Sequence, residues 1–163
     1  MLKEQPAVAL SEEGKKVFKK FCLIGTGIPA VLLAFISILF FSPWALDEAQ
    51  VSSVVLNLST IGLAAAGLII WAFFSFVVYK RLWRMFPDIS EKEKGWSYAE
   101  GTFGYVGVGV STSSVLGVFY YLFSGDYYRS VFLIALSIVL FTVESAMFPN
   151  RIAEVENAVA GMK

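Results

Sequence analysis

The sequence predicts an all-α integral membrane protein, a bundle of four transmembrane helices with cytoplasmic N- and C-termini. Three observations predict it. Of 163 residues, 57% are hydrophobic and only 16% charged, whereas soluble domains carry roughly 45–50% and about 25%. Four stretches are long and apolar enough to cross a hydrocarbon core about 30 Å thick, which needs about 20 residues at helical rise. The cations gather on one side of those stretches, as the positive-inside rule requires of cytoplasmic connections. Helices are the spanning form because open strands leave backbone groups unsatisfied in lipid.

The chain, a single membrane domain over 1–163, opens with an amphipathic segment, 11–20. There Ser11 precedes Glu12 and Glu13, a helix start with acids at the positive end of the dipole, and Val17 and Phe18 lead into the first span. That span, 21–43, is longer than the apolar region of a secretion signal and no small-x-small cleavage pattern follows it, so it reads as a retained helix. Gly25, Gly27 and Pro29 permit a kink in it. The second span, 54–79, places Trp71 near mid-membrane, where packing or a ligand contact would account for it. A cytoplasmic loop, 80–100, follows, with a break at Pro87 and a capping box at Ser90-Glu91-Lys92-Glu93.

The third span, 101–124, has no charge within its apolar run, and the fourth, 131–148, has Glu144 as its one ionisable group. After Pro149 a C-terminal amphipathic helix, 150–163, sets Ile152, Val155, Val159 and Met162 at spacings of three and four. It reads as an interfacial helix or as a docking face for a partner.

Orientation comes from charge. Lys3, Lys15, Lys16, Lys19 and Lys20 precede the first span; Lys80, Arg81, Arg84, Lys92 and Lys94 lie between the second and third; Arg151 and Lys163 follow the fourth. Arg129 alone stays on the outer side, with Asp47, Glu48 and Asp126. Interfacial aromatics agree: Trp44, Tyr120, Tyr121, Tyr127 and Tyr128 mark the outer level, and Tyr79, Trp83, Trp96 and Tyr98 the inner one. The cation bias and the lack of a cleavable signal suit a prokaryotic inner membrane.

Composition also excludes functions. A net charge of zero brings no bias toward nucleic acid. With no histidine and one cysteine, Cys22, the chain lacks the residues for His-ligated haem, His-based zinc or copper sites, His general bases and disulfides. No metal, cofactor or catalytic set is expected, and Cys22 reads as apolar filling. Gly25-Thr26-Gly27 is not a dinucleotide fingerprint, because it sits inside an apolar helix rather than after a strand. Asn57-Leu58-Ser59 reads as a buried polar contact rather than a glycosylation site. Met-Phe-Pro occurs at 85–87 and again at 147–149, a short coincidence between hairpins of unequal length.

Glu144 is the leading candidate for chemistry, because an ionisable group within a span is costly and faces protein or water. Heptad spacing sets Ser130, Ser137 and Glu144 on one face, and at a similar depth the other helices offer Thr26, Ser75 and Tyr105. These form a candidate intramembrane polar site of Glu144, Ser137, Tyr105, Thr26 and Ser75. Its functional reading is a proton or cation site. Its structural reading makes Glu144 a hydrogen-bond acceptor or the partner of Lys80, Arg81 or another subunit, and the scarcity of polar groups toward the outer surface favours this second reading. The third span carries a packing seam, Gly104, Gly107, Ser111 and Ser114, with Ser59, Gly62 and Ala66 as a facing stripe on the second; the two faces meet either within one chain or between chains.

The first functional expectation is a noncatalytic or accessory subunit of an oligomeric membrane assembly, its partners being membrane lipids and other membrane subunits or further copies of itself. The alternative is a small oligomeric transporter or channel using Glu144. The third is an intramembrane enzyme or a protein binding lipid or another hydrophobic ligand, with Trp71, Tyr105 and Glu144 in its pocket.

Overall fold

A computed structural model describes residues 10–43, 45–46, 52–84 and 91–161. Every regular element among them is helical, and four helical stretches are long and apolar enough to cross a membrane. Lys3, Trp44, Asp47, Glu48, the 85–87 tripeptide, Ser90 of the expected capping box, Met162 and Lys163 lie outside the described residues.

Helix α1 runs Glu12–Phe40, and Ser11 caps it as expected, accepting from the Gly14 amide at 3.1 Å. Pro29 stays inside the helix. Helix α2, Ser53–Ala72, passes into a π-helical turn, Phe73–Val78, and then into α3, Tyr79–Arg84. Helix α4 is Lys92–Ser124 and α5 is Tyr127–Ala160. Two residues join this last pair. Gly125, at φ 68°, takes a left-handed conformation that favours glycine, and Asp126 caps α5 by accepting from the Arg129 amide at 3.0 Å.

Two boundaries differ from the sequence reading. The expected loop over 80–100 is largely helical, since α3 extends to Arg84 and α4 begins at Lys92. The fourth span and the C-terminal amphipathic segment are one helix that runs through Pro149. Proline removes a single backbone donor, and side chains on both sides of it are anchored: Phe148 and Ile152 are buried in the same cluster. At 33 residues α4 is about 50 Å long, so it exceeds a hydrocarbon core by roughly 20 Å. The excess of α1, α4 and α5 bundles together at the end where α1 begins and α5 finishes. There Val17, Ala99, Ile152, Val155 and Val159 are buried among one another. Ile152, Val155 and Val159 of the C-terminal amphipathic stripe are therefore covered by their own chain, neither lying on headgroups nor free for a partner.

Just inside this layer is an aromatic knot, in which Phe148 of α5 lies 5.7 Å from Phe21 of α1 and 4.8 Å from Phe103 of α4. Helix α4 is central. In its most apolar stretch 61% of residues are buried, against 11% for the second span. Small residues make that possible. A Cβ at Gly107 would lie 3.1 Å from Ile24 of α1, one at Gly109 2.9 Å from the Phe74 ring, and one at Gly117 2.8 Å from the Ser130 carbonyl oxygen of α5.

The glycine positions differ in what a substitution would do. Gly117→Ala sets a methyl against backbone oxygen, which cannot turn aside, and should destabilise the bundle by about 1–3 kcal/mol as overpacking. Gly62→Ala has nothing within 4 Å and should leave stability unchanged or slightly raised. Thermal unfolding of the two variants in one detergent tests this; equal melting temperatures would refute the assigned α4–α5 contact.

Candidate functional site

Glu144 projects from α5 into the space beside the π-helical turn of the second span. It is 2% exposed, Ser75 is 0% exposed and Arg151 is 9% exposed. Glu144 and Arg151 are seven residues apart on one continuous helix, so they share a face. Their side chains form an ion pair through Arg151 Nη1 and Glu144 Oε1. The other carboxylate oxygen, Oε2, accepts from Ser75 Oγ at 2.8 Å and from Trp71 Nε1 at 3.1 Å.

Arg151 completes the network from the opposite side. Its Nη2 donates to the Ser75 carbonyl at 3.0 Å and to Ser75 Oγ at 2.9 Å. The guanidinium carbon lies 4.5 Å from the centre of the Tyr79 ring, a cation–π contact. Tyr79 in turn donates to Glu154 Oε2 at 3.5 Å. The π-helical turn presents both the hydroxyl and the carbonyl of Ser75 to one guanidinium. Such turns recur at functional sites and at points where a helix is re-aimed.

The physical chemistry explains why these groups occur together. A lone carboxylate or guanidinium removed from water costs several kcal/mol, and a buried polar atom without a partner adds to the cost. Here the charges oppose each other, both carboxylate oxygens are occupied, and hydrogen bonds to charged groups are the stronger kind. The arrangement clamps the second span to α5.

Of the five residues proposed from sequence, the structure brings Glu144 and Ser75 together. Ser137 is buried on the same face of α5 with no hydrogen-bond partner among the described residues. Tyr105 is 55% exposed on α4. Thr26 is exposed on α1, its hydroxyl bonded to the Cys22 carbonyl at 2.7 Å. Tyr105 therefore does not join Trp71 and Glu144 in a shared pocket. Lys80 and Arg81, the partners considered for Glu144, are exposed; Arg151 takes that place.

The packing seam divides in two. Gly104 and Gly107 face Ile24 of α1, and Ser111 Oγ donates to the Ile24 carbonyl at 3.2 Å. Ser114 is buried and donates to the Ser111 carbonyl at 2.6 Å. The stripe on α2 faces elsewhere: Ser59 and Gly62 are exposed and Ala66 is half-buried, while Gly67 is the residue set against Ser113 of α4.

A second polar cluster joins α2 to α5 at the other end of the bundle. Arg129 pairs with Asp126 and donates through Nη2 to Asn57 Oδ1 at 2.8 Å. Asn57 is exposed rather than buried. A cleft of about 650 Å³, bordered by Thr60, Ile61, Tyr128 and Phe132, opens beside it. Among the described residues, no three His, Cys, Asp or Glu side chains come together as a metal site would require.

No protein-family model, curated protein or solved structure matches this chain.

Removing either partner of the ion pair leaves the other charge buried, so Glu144→Gln and Arg151→Gln should each destabilise by about 3–5 kcal/mol. The double variant should lose less than the sum of the two. Unfolding measurements on all four forms in one detergent make a double-mutant cycle; strict additivity would show that the two side chains do not interact.

Proposed function

We propose that this chain is a noncatalytic subunit of an oligomeric membrane assembly in a prokaryotic inner membrane, with both termini and the connection between α3 and α4 in the cytoplasm. The observation that carries the reading is the outward stripe of α2. Ser59 and Gly62 are exposed, and nothing among the described residues lies within 4 Å of a Cβ built at Gly62. In lipid, stripes of small residues serve close helix association rather than solubility. Elsewhere this chain uses such residues that way, on α4 against α1, α2 and α5. A stripe turned away from its own bundle suits a helix of another subunit.

The polar clamp supports the same reading. Glu144 is engaged by Arg151, Ser75 and Trp71, which makes it a fixed strut between helices. A second reading, a proton-coupled transporter using Glu144, draws on the π-helical turn opposite a buried ion pair. In that reading, Glu144→Gln abolishes proton flux in dye-loaded liposomes.

Native mass spectrometry of the protein gently extracted from its own membrane tests the subunit reading. It should find a different membrane protein in fixed stoichiometry, and Gly62→Leu should release that partner while the chain stays folded. A chain found alone, or only with copies of itself, would overturn the accessory-subunit form of the proposal.

A further inference from the structure

The lysines in the first turns of α1 are not equivalent. Lys15 pairs with Glu12, Lys16 with Glu13 and Lys20 with Glu100, each at 2.6 Å. Lys19 has no carboxylate partner among the described residues, so it is the uncompensated positive charge of the group. At helical spacing, Lys16, Lys19, Lys20 and Leu23 share one side of α1. With Cys22 and Thr26 they form one open face of α1.

This face is ordered along the helix axis. Its end toward the N-terminus of α1 is cationic. Its other end is apolar: Leu23 is 71% exposed, and the Thr26 hydroxyl is already bonded to the Cys22 carbonyl. The change from charge to apolar surface falls where the first apolar span begins. An anionic phospholipid has the same order, with phosphate at the headgroup level and methylenes directly beneath. Lysines immediately outside a span attract anionic headgroups, and their stems lie along apolar surface while the ammonium stays at the interface.

We propose that this face of α1 is a binding site for one anionic phospholipid, with its phosphate on Lys19 and its acyl chain along Leu23. The proposal rests on the four-span reading alone and stands whether or not a partner subunit exists.

The test uses the full chain, delipidated in detergent and given equal amounts of dioleoyl phosphatidylglycerol and dioleoyl phosphatidylcholine, with bound lipid counted by native mass spectrometry. One phosphatidylglycerol should be retained in preference to phosphatidylcholine. Lys19→Gln should weaken that retention about fivefold. Lys80→Gln, which removes an exposed charge elsewhere, should leave it unchanged. Equal retention of the two lipids would overturn the proposal, as would equal losses from Lys19→Gln and Lys80→Gln. Displacement of the lipid by millimolar inorganic phosphate would do so too, because phosphate alone would then be the ligand. Lys19 is on the surface, so these variants should keep the helical circular dichroism of the parent; a lipid loss accompanied by lost helicity would count against a local site.

Discussion

The bundle depends on how closely other helices can approach α4. Between helices in lipid there is no hydrophobic driving force comparable to that in water, and association comes from van der Waals contact and a few polar bonds. Dispersion falls quickly with distance, so a helix must shed bulk to bind its neighbours. Helix α4 does so on three sides, with Gly107 toward α1, Gly109 toward the π-helical turn and Gly117 toward α5. The consequence reverses a soluble intuition. Its most apolar stretch has a mean hydropathy of 1.5, lower than the 2.3–2.4 of the other three, yet it is the most buried. Ser111 and Ser114 do not spoil that burial, because they return their hydroxyls to the carbonyls of Gly107 and Ser111 on their own helix, whereas the buried Ser113 hydroxyl has no partner among the described residues.

The second span follows a different logic. It has little buried surface, and polar contacts to α5 hold it near both ends: Asn57 to Arg129 at one, Trp71 and Ser75 to Glu144 at the other. Apolar contacts tolerate sliding, but a hydrogen-bonded charge in a low-dielectric setting does not, since any shift exposes an unpaired group. The π-helical turn belongs to this logic. It sits where the span must present Ser75 to Arg151 while Tyr79, just beyond it, stacks on the same guanidinium.

Much of this architecture was legible in sequence. Apolar runs and charge placement gave the four long helices, Ser11 gave the start of α1, and the glycine and serine spacing of α4 marked the face that packs on α1. Glu144 was visible as an expensive charge, and its heptad with Ser130 and Ser137 was on the right face. One more step of that heptad reaches Arg151. The step was hidden by Pro149, read as a helix end; but a proline costs a helix one donor and some strain, which anchoring on both sides offset here. Trp71 was recognised as misplaced for an interfacial aromatic, but its indole donor could not be matched to an acceptor without knowing which face of the span meets α5. For the same reason the small residues Ser59, Gly62 and Ala66 are legible as a stripe, but the direction in which that stripe faces is not. The π-helical turn has no counterpart in composition or periodicity, because it adjusts a backbone to a tertiary contact.

The clamp and the outward stripe are linked through the rotation of α2 about its own axis. At about 100° per residue, Thr60, Gly67, Trp71 and Ser75 fall on one side of the helix, the side that is buried or bonded to Glu144. Gly62 lies nine residues before Trp71, which puts it about 180° away. Fixing Trp71 and Ser75 on Glu144 therefore fixes Gly62 outward. A rotation that brought Ser59 and Gly62 against α4 would turn Gly67 away from Ser113. The buried charges forbid that rotation, because it would strand Glu144 and Arg151 without their partners on the second span. The most costly interaction in the bundle thus determines which surface is presented to whatever lies beyond it.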